Sequence, residues 1–169
     1  MSDEQRKNLL SGTRDWSGVW DNANYWNADG THDGFAVMSR KGPWMGLYKQ
    51  VKLTAGHVYT FSVCVKIEPG QKQSLGLHLT YMNNINDTYL SDSEVDGLYY
   101  VEVIGGDWHV ISHTFNVTAS KYARPRVEAT GDFVLSVCAY MLVEGDTPAA
   151  WAPADGETLT ADAGGENYE

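Results

Sequence analysis

A chain of 169 residues, 43% hydrophobic and 20% charged, has the size and composition of one folded domain rather than a disordered segment. Its net charge of -10, with no Lys/Arg cluster to reverse the field locally, argues against nucleic acid and against anionic membrane surfaces as partners. No apolar run approaches the ~20 residues of a membrane helix, and the polar start Met1-Ser2-Asp3-Glu4-Gln5-Arg6-Lys7 lacks the apolar stretch of a secretory signal. Synthesis in the cytoplasm is therefore expected, with Cys64 and Cys138 reduced inside apolar strands, although a disulfide between neighbouring strands stays open.

Residues 1–7 read as a polar arm. A loop rich in Trp and Asn follows, from Trp16 to Asn27. Strand-like segments then come in turn at 35–40, 47–53, 57–67, 75–82, 99–104, 108–117 and 133–143. They are separated by turn signals such as Lys41-Gly42-Pro43, Glu68-Pro69-Gly70 and Gly105-Gly106-Asp107. In 57–67 the period of two sets Tyr59, Phe61, Val63, Val65 and Ile67 on one face, and Thr60, Ser62 and Lys66 on a wetter one. In 133–143 the same period puts Phe133, Leu135, Val137, Ala139, Met141 and Val143 together. No amphipathic helix interrupts the series. The fold class that follows is all-β, a two-sheet antiparallel jelly-roll sandwich of about eight strands over residues 8–154, with an acidic tail at 155–169.

The Trp16–Asn27 loop carries the densest chemistry. Sugar rings present C–H faces that stack on flat aromatics, and short amides bridge vicinal hydroxyls. On that reading Trp16, Trp20, Tyr25 and Trp26 supply stacking faces, while Asn22, Asn24 and Asn27 supply hydrogen bonds. The competing reading folds the same aromatics back as a lid on the sandwich or packs them against another subunit. Trp44, Trp108 and Trp151 stand at turn–strand boundaries and are expected in the core. A second polar–aromatic loop spans 81–89, and Asp92, Glu94 and Asp96 alternate as in a solvated turn.

His109 and His113 lie on one strand face, but four residues there span roughly 13 Å, too far for both to bind one ion. No metal site and no cofactor are expected. No nucleophile, phosphate-loop or zinc-protease motif occurs, so no catalytic residue is assigned.

Several segments together resemble a known family. They are Asn8-Leu9-Leu10, the run from Gly46-Leu47-Tyr48 to Gly56-His57-Val58-Tyr59-Thr60-Phe61-Ser62, Gly106-Asp107-Trp108-His109, and the closing Glu144-Gly145-Asp146-Thr147-Pro148-Ala149-Ala150-Trp151-Ala152-Pro153. They look like the carbohydrate-binding-module-like jelly rolls of tail, baseplate and other virion proteins from phages of Gram-positive bacteria. The resemblance implies a virion structural protein, made in the host cytoplasm, that contacts host cell-wall polysaccharide. A purely structural capsid decoration or tail subunit is the alternative. It also implies other virion subunits as partners, or a homo-oligomer. The acidic pair that holds a structural calcium in related modules is absent from Ser136-Val137-Cys138-Ala139-Tyr140.

Overall fold

A computed structural model describes residues 6–82, 97–117 and 121–157, and its regular structure is almost entirely antiparallel strand. Nine strands occur among these residues: β1 (Asn27–His32), β2 (Phe35–Lys41), β3 (Val51–Leu53), β4 (Val58–Ile67), β5 (Lys72–Met82), β6 (Leu98–Ile104), β7 (His109–Asn116), β8 (Lys121–Ala129) and β9 (Val134–Glu144). A five-stranded sheet in the order β1-β2-β9-β4-β7 faces a four-stranded sheet in the order β3-β8-β5-β6. The expected two-sheet sandwich is what forms.

Between the sheets lie Tyr59, Phe61, Val63, Val65 and Ile67 of β4, Leu75, Leu77 and Leu79 of β5, and Leu135 and Val137 of β9. Alternation on pleated strands puts these residues on the inner faces, and burying them supplies most of the drive to fold.

Two strands escaped the sequence reading. β1 is polar and lies at a sheet edge, mostly exposed. β8 reads Lys-Tyr-Ala-Arg-Pro-Arg-Val-Glu-Ala, and its central Pro125 argues against a strand. β3 pairs only Lys121 to Ala123, so past that point β8 has one strand neighbour, β5, where a proline is tolerated.

β9 also departs from simple alternation. Ser62 pairs with Met141 but Cys64 pairs with Cys138, so Ala139 and Tyr140 together oppose Val63. Ala139 takes φ 56°, the left-handed backbone of the first residue in a G1-type bulge. Beyond the bulge the phase reverses: Tyr140 and Leu142 join the core, whereas Ala139, Met141 and Val143, expected to face it, turn to the other side. That side is dry in places. Thr60 and Ser62 are buried rather than wet, because Thr60 Oγ1 donates to Gly145 O at 2.8 Å and Thr114 Oγ1 donates to Asp146 O at 3.2 Å, drawing the chain after β9 over the sheet.

The two ends of the domain are sewn together by Asn8, which is 2% exposed. Its Oδ1 accepts from Leu10 N and Leu142 N, and its Nδ2 donates to Tyr140 O and Thr13 Oγ1. Trp151 of the closing motif donates from Nε1 to the same Thr13 hydroxyl at 2.9 Å. Glu157, the last described residue of the acidic tail, accepts from Gly12 N and Ala154 N.

Candidate functional site

The Trp16–Asn27 loop divides in two. Trp20 and Trp26 are each only 6% exposed and belong to the core, and Trp16 packs against it. Each indole N–H finds a carbonyl: Trp16 on Ala36 O, Trp20 on Ser17 O and Trp26 on Met45 O, at 2.9, 3.0 and 2.7 Å. Trp16, Trp20 and Phe61 meet Tyr140 edge to face, with centroids 5.0, 5.8 and 5.2 Å apart. Tyr140 in turn donates its hydroxyl to Leu47 O.

The structure thus places these three indoles as a lid, where sequence reading expected stacking faces. An indole buries more apolar area than its neighbours, and its one polar atom is easily satisfied, so packing wins. Tyr25 remains 45% exposed, with the Arg40 guanidinium 5.6 Å from its ring centre. Asn24 and Asn27 are exposed. Asn22, in a left-handed conformation, donates from Nδ2 to Gly46 O at 2.9 Å.

Asn22 also lines a groove of about 410 Å³ over the outer face of the four-stranded sheet. The floor comes from alternation. Ala123, Val127 and Ala129 of β8 point into the core, so Arg124, Arg126 and Glu128 point out. His78 of β5 stands opposite Arg126, and Gly76 stands opposite both Glu128 and Tyr100 of β6. Trp44, Met45 and Tyr48 form one wall. Trp44 was expected in the core, yet it is 49% exposed, because Trp44 and Met45 both take left-handed backbone, φ 62° and 59°, and swing outward.

What holds this wall is Glu128. Its Oε2 accepts from Gly46 N and from Arg126 Nε, both at 2.9 Å, and its Oε1 lies 3.1 Å from His78 Nε2. Gly46 must be glycine, since a Cβ there would come within 2.9 Å of Val127 O and 2.8 Å of Glu128 Cγ. Burial alone would raise the Glu128 pKa, but His78, Arg126 and the Gly46 N–H outweigh it and hold the carboxyl at about 2. Burial pushes His78 down and Tyr48 up. The guanidinium carbons of Arg124 and Arg126 sit 5.2 and 5.8 Å from the centre of the Tyr48 ring. The result is a concave surface with an exposed indole on the rim and a floor of planar cations around an ionised, fully engaged carboxylate. Such a surface suits a ligand with both C–H faces and hydroxyl groups.

The remaining candidates fall elsewhere. Trp108 stacks on His32 at 4.3 Å, and Trp151 packs edge to face on Phe35. Both are half-buried and stand outside the core in which the sequence reading expected them, because each covers the outer face of a sheet rather than the space between the sheets. His109 lies against Ile104 O, and His113 stacks on Tyr99 at 3.8 Å, closing the gap between the sheet edges. Among the described residues no group of three or more His, Cys, Asp or Glu is placed to hold a metal. Residues 83–89 of the second polar–aromatic loop, and Asp92, Glu94 and Asp96, lie outside the described residues. The signal that sequence reading passed over was Arg124-Pro125-Arg126-Val127-Glu128, whose period of two puts its charges on one face.

A family model described as a carbohydrate binding domain matches residues 6–132. No curated protein sequence matches the chain. Among solved structures, one titled as a family 4 carbohydrate-binding module is 13% identical with a TM-score of 0.56, covering 81% of this chain and 99% of that one. A Clostridium thermocellum xylanase 10B fragment, carrying a family 22 module and complexed with xylohexaose, is 14% identical with a TM-score of 0.59. That alignment covers 87% of this chain and 29% of the larger fragment. The tripod from the baseplate of bacteriophage Tuc2009 is 14% identical with a TM-score of 0.55, covering 93% of this chain and 62% of that one. At such identities the likeness is one of fold.

Proposed function

Because the chain belongs to the carbohydrate-binding domain family, whose model spans most of it, we propose that it is a non-catalytic module that binds polysaccharide in the groove over β8 and β5. The observation that carries this reading is the pairing of the exposed Trp44 with the charged floor of Arg124, Arg126 and Glu128. A sugar ring laid on Trp44 covers its apolar face, and its hydroxyls reach the planar cations of the floor without any proton transfer. Asn22 brings the Trp16–Asn27 loop to this groove, and Asn24, Tyr25 and Asn27 of the same loop are exposed. Binding rather than hydrolysis fits a carboxylate that is ionised and engaged at both oxygens.

The setting we propose is a phage virion, with the module facing host cell-wall saccharide and docked on other virion subunits. The baseplate tripod supports this through its fold. Mass spectrometry of purified particles of the encoding phage tests it, and absence of the chain from those particles would refute it.

The binding reading is tested by calorimetric titration of xylohexaose and of host cell-wall polysaccharide into the wild type and Trp44→Ala. One stacked ring is worth on the order of 1–3 kcal/mol, by analogy with bases on aromatic platforms, so affinity should fall roughly tenfold with little change in stability. Equal affinity in both proteins would move the site away from the groove. No binding by the wild type would leave the purely structural subunit.

A further inference from the structure

Away from the groove, on the outer face of the five-stranded sheet, Cys64 of β4 and Cys138 of β9 stand directly opposite one another in antiparallel register. Both thiols are free; Cys138 is buried and Cys64 is half-buried. Both line one cavity of about 230 Å³, walled by Phe35, Val110, Met141 and Trp151, with His32 and Asp33 at its polar side.

Facing residues of an antiparallel pair have Cα atoms about 4.5–5.5 Å apart and point to the same side. A disulfide needs roughly 4.4–6.8 Å, so the backbone already stands at bonding separation. The pair also sits where β9 bulges, since the register shift between Ser62 and Cys64 places Ala139 and Tyr140 against Val63. We infer that Cys64 and Cys138 form a dithiol site that closes reversibly to a disulfide by exchange with a small disulfide entering this cavity.

The two sulfurs are not equivalent. The Cys138 thiol, directed at Cys64, lowers the Cys64 pKa, while the same contact and burial raise that of Cys138. Cys64, the more exposed, is therefore the attacking thiolate. Its sulfur bonds to one sulfur of R–S–S–R, the S–S bond breaks, and R–S⁻ leaves and takes up the proton Cys64 gave to solvent. Cys138 then gives up its proton, and its sulfur attacks Cys64 within the mixed disulfide and expels the second R–S⁻, which is protonated in turn. Two cysteines are oxidised to one disulfide and R–S–S–R is reduced to two R–SH. The new bond ties β4 to β9 at the middle of the sheet, independently of any ligand in the groove.

The experiment treats the folded protein with 2-hydroxyethyl disulfide, then alkylates with N-ethylmaleimide under denaturing conditions and maps peptides. The expected product is a monomer with neither cysteine alkylated, a Cys64–Cys138 crosslinked peptide, and a melting temperature higher by about 5–10 °C that falls back after phosphine reduction. Cys138→Ser should stop at a mixed disulfide on Cys64, and Cys64→Ser should react slowly or not at all. Should either variant fail to fold, the wild-type peptide map decides by itself. Persistent alkylation of both cysteines, a stable wild-type adduct on Cys64, or crosslinking only between molecules would overturn the inference.

Discussion

Replacing Glu128 by Gln tests the link between the groove and the fold, because one carboxylate holds the wall, the floor and the strand together. The Glu128 side chain is 8% exposed and faces Arg126 Nε, Gly46 N and His78 Nε2. Glutamine keeps the shape but removes the charge that compensates a guanidinium only 4% exposed, and its amide turns a donor toward groups that donate. Removing one partner of a buried ion pair typically costs about 3–5 kcal/mol. The titration argument gives a similar size. A fall in pKa from 4.5 to about 2, at about 1.36 kcal/mol per pH unit, corresponds to about 3 kcal/mol.

The sign follows from the depressed pKa. This contribution is complete above about pH 4.5 and is lost as pH falls through about 2. Urea unfolding of wild type and Glu128→Gln should therefore differ by about 3 kcal/mol at pH 7, and the gap should narrow by about 1.4 kcal/mol for each unit below pH 4.5. Polysaccharide affinity should fall as well, because Gly46 and with it Trp44 lose their anchor. A penalty below about 1 kcal/mol at pH 7, or a gap that does not change with pH, would refute the account of Glu128 as a buried, ionised tether.

Trp20→Ala should cost about 3–5 kcal/mol in chemical denaturation, as for a large core truncation, while the folded fraction keeps its polysaccharide affinity. An unchanged stability with lost binding would return the indole to the ligand site. Asn8→Ala removes one side chain that satisfies Leu10 N, Leu142 N and Tyr140 O in a buried setting. With each orphaned buried group costing about 1–3 kcal/mol, it should lose about 3 kcal/mol or more in the same assay, and a cost near zero would show that water takes over these bonds.

Much of the fold was legible because strand alternation is a local property. Tyr59, Phe61, Val63, Leu135 and Val137 could be assigned to the core from neighbours two residues away, and all five are buried there. The closing Ala150-Trp151-Ala152-Pro153 was likewise readable as structural. The carbohydrate-binding-module likeness read from segments such as Tyr59-Thr60-Phe61-Ser62 agrees with the carbohydrate binding domain model that matches residues 6–132.

What the sequence could not decide was which aromatic goes where. Trp20 and Trp44 are the same residue in two loops, yet one is 6% and the other 49% exposed. The difference arises from groups far off in the chain: Tyr140 receives Trp20, and Glu128 pins Gly46 so that Trp44 turns out. The bulge at Ala139 is similarly invisible in FVLSVCAYMLV, since only pairing with β4 exposes the extra residue. The groove itself needs β8 beside β5, a register between residues about fifty apart in sequence. Alternation along one strand determined which residues are inside; long-range pairing and burial of loops decided which surface is left open to a ligand.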